Sequence, residues 1–400
     1  MESLLVGIDV GCRRHRVAVG MADGALLDQF DLDHQPTAFS AFFSRVEKQA
    51  AKHGLSVSVG MEGYGGWARP LDEMVLAKGW TLLNVNNLKL ARYKEIFPSP
   101  AKTDAIDARK ILELMCLRPL LPQAKVILNE VIPAPQVNHD MKLLTRRRRQ
   151  LVNERVMVVN RMYSDLQAIA PGLLEITGSV DNQWFLNFLT ARDTFDQLTR
   201  MRQSGLLKIR GVGQKYAGLI RMWQKTAQLS SDVLMVGDMV MEDALRVLAL
   251  VGKITRIEVQ LKDLMTKSSR ATTIESITGL GLICASELAG EIGAIERFSS
   301  ESALARYIGM APLDNSSGVY VGTKAGKQVN RRAKAAMMVA VARHYMNTHQ
   351  SKAYYDKKRA EGKKHNQAVR SLGRHIVRVM WSLLKNNTLY KIREVPLKIS

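Results

Sequence analysis

Three short β-prone runs open the chain, Leu4 to Val10, Arg16 to Met21 and Ala25 to Leu32, parted only by Gly11 to Arg14 and by Asp23-Gly24. Each has a strand's length, and the breaks hold the glycine and aspartate that tight turns use. Such a series fits an antiparallel meander. A helical stretch from Pro36 to Lys52 follows, then an alternating strand from Leu55 to Met61, a helix near Trp67 to Lys78 and a strand from Thr81 to Val85. Strands followed by alternating helices and strands specify a mixed α/β sheet.

A break at Pro98-Ser99-Pro100 precedes a helix marked at its start by Thr103 and Asp104 and running to about Leu117, which closes a first domain over residues 1–118. Pro119, Pro122, Pro133 and Pro135 then fall in a span of little helical period, read as a linker or irregular edge. Val152, Val156, Val159, Tyr163 and Leu166 are spaced four and three by turns, and Leu250, Ile254, Ile257, Leu261 and Leu264 repeat that spacing. The pattern predicts two long helices paired as an antiparallel coiled coil, with ordinary bundle packing as the alternative. Residues 119–268 are thus a linker and a helical or coiled-coil region, and residues 269–390 a mainly helical C-terminal domain. Two echoes, Ile209-Arg210-Gly211-Val212-Gly213 and Ile277-Thr278-Gly279-Leu280-Gly281, fit a helix-hairpin-helix pattern whose turn amides can face a phosphate; a plain turn between helices is the alternative.

Charge narrows the partner. The 400 residues carry a formal charge of +21, a self-repulsion that a polyanion would neutralise, and nucleic acid is the first candidate. The last eighty residues hold nineteen Lys and Arg against three acids, among them Lys324, Lys327, Arg331, Arg332 and Lys334 beside Asn330. Arg146, Arg147, Arg148 and Arg149 form a second basic block at the start of the first long helix. Both are expected to meet a nucleic-acid backbone, the alternative being a solvated face. The three cysteines, Cys12, Cys116 and Cys284, are far apart and support neither a disulfide framework nor a cysteine zinc site. The first residues lack the marks of a secretory signal, and apolar runs such as Ala335 to Ala342 fall short of the roughly 20 residues of a membrane span. A cytoplasmic protein with no membrane partner is expected.

Four carboxylates carry the chemistry. Asp9 lies at the end of the first strand and Glu62 at the end of a later one, while Asp104 and Asp107 are spaced i, i+3 and share a helix face. Together they could converge at one sheet edge, where hard oxygen ligands suit Mg²⁺ or Mn²⁺ and two such ions can drive phosphoryl transfer. The order of elements is that of a ribonuclease-H-like nuclease sheet. Taken singly, each has a plainer reading: a turn aspartate before Gly11, a strand-end charge before Gly63, a helix-start carboxylate favoured by the dipole.

Gly7-Ile8-Asp9-Val10-Gly11, Met61-Glu62-Gly63-Tyr64-Gly65-Gly66 and Lys102-Thr103-Asp104-Ala105-Ile106-Asp107-Ala108 closely resemble the three acidic motifs of the DEDD transposases of the insertion sequence 110 family. A second match runs through Gly279-Leu280-Gly281, Phe298, Ala303 to Gly309, Pro312, Ser316-Ser317-Gly318 and Asn330-Arg331. The resemblance covers about residues 3 to 118 and 272 to 385. It implies a site-specific recombinase with a RuvC-like domain, a coiled-coil segment and a serine-bearing transposase domain, guided by a noncoding bridge RNA and acting on donor and target DNA. It further implies that Asp9, Glu62, Asp104 and Asp107 bind metal, that Ser317 is the nucleophile, and that dimers or tetramers share composite sites, associated with the nucleoid when acting on DNA. The chain has Val329 where the family usually has glycine before Asn-Arg, and Ser316 stands directly beside Ser317.

Gly7-Ile8-Asp9-Val10-Gly11 before a β-hairpin would also suit an actin-like ATPase or sugar kinase, but a second Asp-x-Gly loop after the midpoint is not found and the charge is unusual for a small-molecule kinase. A RuvC-like structure-specific nuclease and a non-catalytic RNA-binding protein are the remaining alternatives; the latter leaves the placed carboxylates as accidents.

Overall fold

The strands β1 (Ser3–Asp9), β2 (Arg14–Gly20) and β3 (Leu26–Asp33) form the expected antiparallel meander. The computed structural model describes residues 3–96, 104–121, 127–319, 322–326 and 328–391. After the meander come α1 (Pro36–His53), β4 (Ser56–Glu62), α2 (Arg69–Ala77), β5 (Thr81–Val85), α3 (Asn87–Ile96), α4 (Asp104–Leu117) and β6 (Leu128–Glu130). The sheet order is β3-β2-β1-β4-β5-β6, with β1, β4 and β5 parallel and β6 antiparallel at the edge. This is the mixed sheet of a ribonuclease-H-like α/β domain. Helix α3 and strand β6 lie outside the expected elements, and β6 carries the N-terminal unit on to Pro133.

Both faces of the sheet are covered, which is why its central strands are almost wholly apolar. Leu4, Val6 and Ile8 of β1 pack with Phe39, Phe42 and Val46 of α1 and with Leu71 of α2. Leu5 of β1 and Leu83 of β5 point the other way, against Ala108, Ile111 and Leu112 of α4. Glycine makes that second contact close: a Cβ on Gly7 would lie 2.5 Å from the Ala108 carbonyl oxygen, and one on Gly60 2.6 Å from the Met115 sulfur. The helix backbone therefore rests on the strand backbone.

Residues from Ala134 form the second unit. Its frame is a pair of long helices, α5 (Gln136–Ile169) and, after five short helices α6 (Leu173–Thr177), α7 (Gln183–Leu189), α8 (Phe195–Thr199), α9 (Gln203–Leu206) and α10 (Gln214–Thr226), α11 (Val233–Lys267). The ion pairs Arg148–Glu258, Arg246–Glu154 and Arg161–Asp243 advance along one helix as they retreat along the other, so the pair is antiparallel. The α11 stripe is largely as expected, with Leu250, Ile254, Ile257 and Leu261 buried. On α5 the frame differs: Val156 and Tyr163 are exposed, and Leu151, Val158, Met162, Leu166 and Ile169 are buried. The short helices are the reason. Their own core of Phe185, Phe188, Phe195 and Leu198 packs on Val158, Met162 and Leu166 and rotates the buried face of α5 away from a two-helix seam.

The other end of the long pair carries α12 (Ser269–Glu275), α13 (Leu282–Ile292), α14 (Glu301–Ile308), the hairpin β7 (Pro312–Asp314) and β8 (Thr323–Ala325), α15 (Arg331–Asn347), α16 (His349–Ala360) and α17 (His365–Asn386). These helices share a core with Met141 and Leu151 of α5 and Leu261 and Met265 of α11. The two Gly-x-Gly echoes fold alike, with φ of +89° at Gly211 and +87° at Gly279. A side chain at Gly279 would strike the backbone of Ala340 and His344.

Candidate functional site

Asp9 and Glu62 are the last residues of β1 and β4, neighbouring parallel strands whose register pairs Ile8 with Met61. The two carboxylates thus end side by side at the C-terminal edge of the sheet. Side chains alternate along a strand, so Asp9 follows Gly7, and Glu62 follows Gly60, on the face covered by α4. The glycine contacts draw the first turn of α4 to that same edge, and with it Asp107. Glu62 and Asp107 feel each other's charge: burial pushes the Glu62 carboxyl up, Lys94 pulls it down, and Asp107 adds to the rise. Lys94 of α3 reaches Asp107 at 2.9 Å, an ammonium in the position of counter-charge to the carboxylates. Asp104 is the first residue of α4, its side chain outside the described residues. Among the described residues no group of three or more His, Cys, Asp or Glu side chains is gathered tightly enough to hold an ion. The donor set of aligned carboxylates on a rigid sheet edge is of the hard-oxygen kind that Mg²⁺ and Mn²⁺ take.

The loop after Glu62 is fixed by two polar residues that sequence reasoning missed. Gly63 and Gly65 have φ of +67° and +69°, and the Gly66 N–H donates to the Gly63 carbonyl at 2.8 Å. Asn84 of β5 accepts the Tyr64 N–H at 3.1 Å, and Asp72 of α2 accepts the Gly65 N–H at 2.7 Å. Asp72 is buried, its other carboxylate oxygen has no hydrogen-bond partner among the described residues, and burial pushes its pKa up to about 6 against the pull of the Gly65 bond. Its only sequence signal is an acid in the first turn of a helix that follows a glycine loop.

The second candidate region is the loop of the β7–β8 hairpin, closed by the Asn315 N–H to the Gly322 carbonyl at 2.9 Å. Ser316 and Ser317 are both exposed there, and Gly318 has φ of +56°. Lys324 is exposed on β8, whereas Lys327 lies outside the described residues. Asn330 is occupied within the fold. Its Oδ1 accepts the N–H groups of Arg332 and Ala333 at the start of α15, and its Nδ2 donates to Glu291 and to the Tyr307 hydroxyl, each at 2.7 Å. Arg331 and Arg332 are exposed on that first turn, and Lys334 is half-buried.

Three of the four arginines of the block are paired with carboxylates of the fold. Arg146 makes a two-bond contact with Glu291 at 2.7 and 2.9 Å, Arg149 another with Glu287 at 3.1 and 2.6 Å, and Arg148 reaches Glu258 at 2.7 Å. Glu287 and Glu291 are buried on α13, and the Arg146 and Asn330 bonds hold the Glu291 carboxyl below its usual range despite burial. Arg146, Arg148 and Arg149 are thus each paired with a carboxylate more than a hundred residues away in sequence. Among the described residues the one side-chain hydrogen bond of Arg147 is to Gln150, at 3.3 Å.

Comparison with known proteins follows the same two regions. A family profile for DEDD transposases of the IS110 type, described as transposase, matches residues 6–171, and that of the transposase IS116/IS110/IS902 family matches residues 271–356. The first match runs past the proline-rich span through the whole of α5, further than the motifs alone had reached. The chain is 24% identical to an uncharacterized 44.8 kDa protein of insertion element IS116 from Streptomyces clavuligerus, over 97% of this chain and 96% of the relative. It is 25% identical to a 42 kDa protein of insertion element IS900 from Mycobacterium paratuberculosis, over 97% of each. It is also 25% identical to a 43.6 kDa protein of insertion element IS110 from Streptomyces coelicolor, over 98% and 96%. Among the described residues no helix is long and apolar enough to cross a membrane.

Proposed function

Because the chain belongs to the insertion sequence 110 family of transposases, enzymes that cut and rejoin DNA, we propose that it moves its own element by site-specific recombination through a serine nucleophile and a carboxylate-held divalent metal. The observation that carries this reading is the alignment of Asp9, Glu62 and Asp107 at one sheet edge, with Asp104 one turn before Asp107 on the same helix. In the proposal these four residues hold Mg²⁺ or Mn²⁺, which would displace Lys94 from Asp107 and supply Lewis acidity to a phosphate. Ser317 Oγ attacks the scissile phosphorus, its proton passing to a base, while the bond to one DNA oxygen breaks. One phosphoester replaces another, so rejoining reverses the step without an external nucleotide.

Arg147, Lys324, Arg331, Arg332 and Lys334 are proposed contacts to donor and target DNA, and to a bridge RNA that selects them. The protein acts as a dimer or tetramer, in the cytoplasm and on the nucleoid. The kinase and RNA-binding alternatives have no support in the family matches.

The test traps the reaction on nicked suicide DNA in the presence of the element's own RNA and maps the modified peptide. A DNA adduct on Ser317, absent from Ser317→Ala and from Glu62→Gln, is expected. An adduct on Ser316, or joined products with no adduct at all, would overturn the serine assignment.

A further inference from the structure

A cavity of about 500 Å³ lies in the second unit between the base of the β7–β8 hairpin and helices α16 and α17. It is far larger than a structural void and falls in the size range of small-molecule sites. Pro312 and Lys324 of the hairpin line one side, and Tyr354, Lys363 and Arg370 line the other. Among the described residues no carboxylate lines it. Arg374 also reaches the wall, but its guanidinium is neutralised from behind by Glu301 at 2.7 Å. Lys324, Lys363 and Arg370 have no side-chain ion pair or hydrogen bond among the described residues, unlike most arginines of this unit. Three unpaired cations around one concave site repel each other unless an anion enters.

A histidine stands in the same wall. His375 accepts or donates a hydrogen bond with the Tyr354 hydroxyl at 3.1 Å. It is held below its usual pKa by burial and by the cations Arg378, Arg374 and Lys358, while Glu301 opposes them. A neutral His375 leaves the site without a fourth full charge and gives it a hydrogen-bonding edge. The hairpin strands that form the other side lead directly into the loop with Ser317.

We propose that this cavity is a phosphate anchor: it binds one backbone phosphodiester of the DNA flanking the scissile position, with Arg370, Lys363 and Lys324 as its charged contacts. The assignment rests on the transposase reading, and it specifies a site which that reading does not require. A cluster of this sort fixes register rather than sequence, since phosphate contacts position a duplex without reading its bases.

The experiment uses the full chain with fluorescently labelled duplex DNA of the element's end and, separately, a single-stranded RNA of equal length. Binding is measured by anisotropy over a salt series for wild type, Lys363→Gln/Arg370→Gln, Arg370→Lys, and a control that neutralises Lys352, an exposed lysine outside the cavity lining. The double variant is expected to weaken DNA binding about tenfold at low salt and to flatten the log–log salt slope by about one per lost contact, with Arg370→Lys close to wild type. Circular dichroism melts hold folding constant between variants. Replacement of Tyr354 by a photoreactive benzoylphenylalanine then reports the occupant, and a crosslink to DNA is expected. A salt slope unchanged in the double variant, a fall no larger than that of the Lys352 control, or a crosslink to RNA alone overturns the anchor. These readouts are binding alone, so recombination that persists in Glu62→Gln would defeat the catalytic reading and leave this result standing.

Discussion

Asp72 accepts the N–H of Gly65 at 2.7 Å from inside the domain, so the glycine loop behind Glu62 hangs on a carboxylate that is itself buried and only half satisfied. Its pKa is raised from 3.8 to about 6, chiefly by burial. A carboxyl raised in the folded state favours its protonated form, so its contribution to stability is complete below about pH 4 and is lost as pH rises through about 6. Asp72→Asn keeps an acceptor for Gly65 and removes the titration. The variant should match wild type below pH 4 and exceed it on the order of 2 kcal/mol above pH 7, by urea unfolding of the two proteins across that range. Equal pH profiles would show that Asp72 does not titrate in this window.

Lys94 is the counter-charge of Asp107 at 2.9 Å, and in the proposed metal site a divalent cation would compete with it. Lys94→Met should therefore raise the affinity for Mn²⁺ several-fold, read by the ion's paramagnetic relaxation of water, while Glu62→Gln should lower it. Loss of one ligand is expected to reduce DNA cleavage by at least ~100-fold, no less than the loss of a group that only orients a ligand. Cleavage that survives Glu62→Gln at wild-type rate would remove this site from the chemistry.

The placement of Asp9, Glu62, Asp104 and Asp107 on their elements was legible in the sequence because each signal is local. Asp9 and Glu62 end strands that alternation and turn residues announce, and the i, i+3 spacing of Asp104 and Asp107 has meaning within a single helix. Helix α3 escaped notice because its apolar positions make almost no face, only Leu90 being buried, and β6 because three residues cannot display a period. The pairing of Arg146 and Arg149 depends on Glu291 and Glu287, which no spacing rule connects to them. The buried face of α5 was misread at Val156 and Tyr163 because the short helices, each of four to thirteen residues, supply a second packing partner that only the fold brings near.

The arginine block makes opposite predictions at two neighbouring positions. Arg146→Ala strips the buried Glu291 of its two-bond partner and should destabilise the second unit by about 3 kcal/mol, the usual penalty for breaking a buried pair. Arg147→Ala, which leaves no buried carboxylate behind, should melt within about 0.5 kcal/mol of wild type and act only on DNA affinity. Thermal melts and a salt series on both variants separate the two roles. A stable Arg146→Ala would mean that Lys142 and Asn330 suffice to hold Glu291.

Gly7 tests whether the carboxylates are aligned by backbone contact. Its conformation is ordinary for a strand, so alanine is not strained there; what forbids a methyl group is the Ala108 carbonyl oxygen 2.5 Å away and the Leu112 nitrogen at 2.9 Å. Neither atom belongs to a flexible side chain, so α4 must lift from the sheet to admit the methyl group. Overpacking of that kind costs about 1–3 kcal/mol in a well-packed core. Stability is the smaller effect. Asp107 rides on the turn next to Ala108, so lifting the helix moves its carboxylate and that of Asp104 away from Asp9 and Glu62 while all four residues remain. Gly7→Ala is therefore expected to stay folded at low temperature, lose Mn²⁺ affinity, and lose cleavage out of proportion to its melting temperature. Leu5→Ala, on the same strand and face but farther from the carboxylates, gives a cavity of comparable penalty without lifting α4. If both variants lose cleavage in step with stability, the glycine is only a packing residue; if Gly7→Ala alone loses the metal, the contact between β1 and α4 is what builds the site.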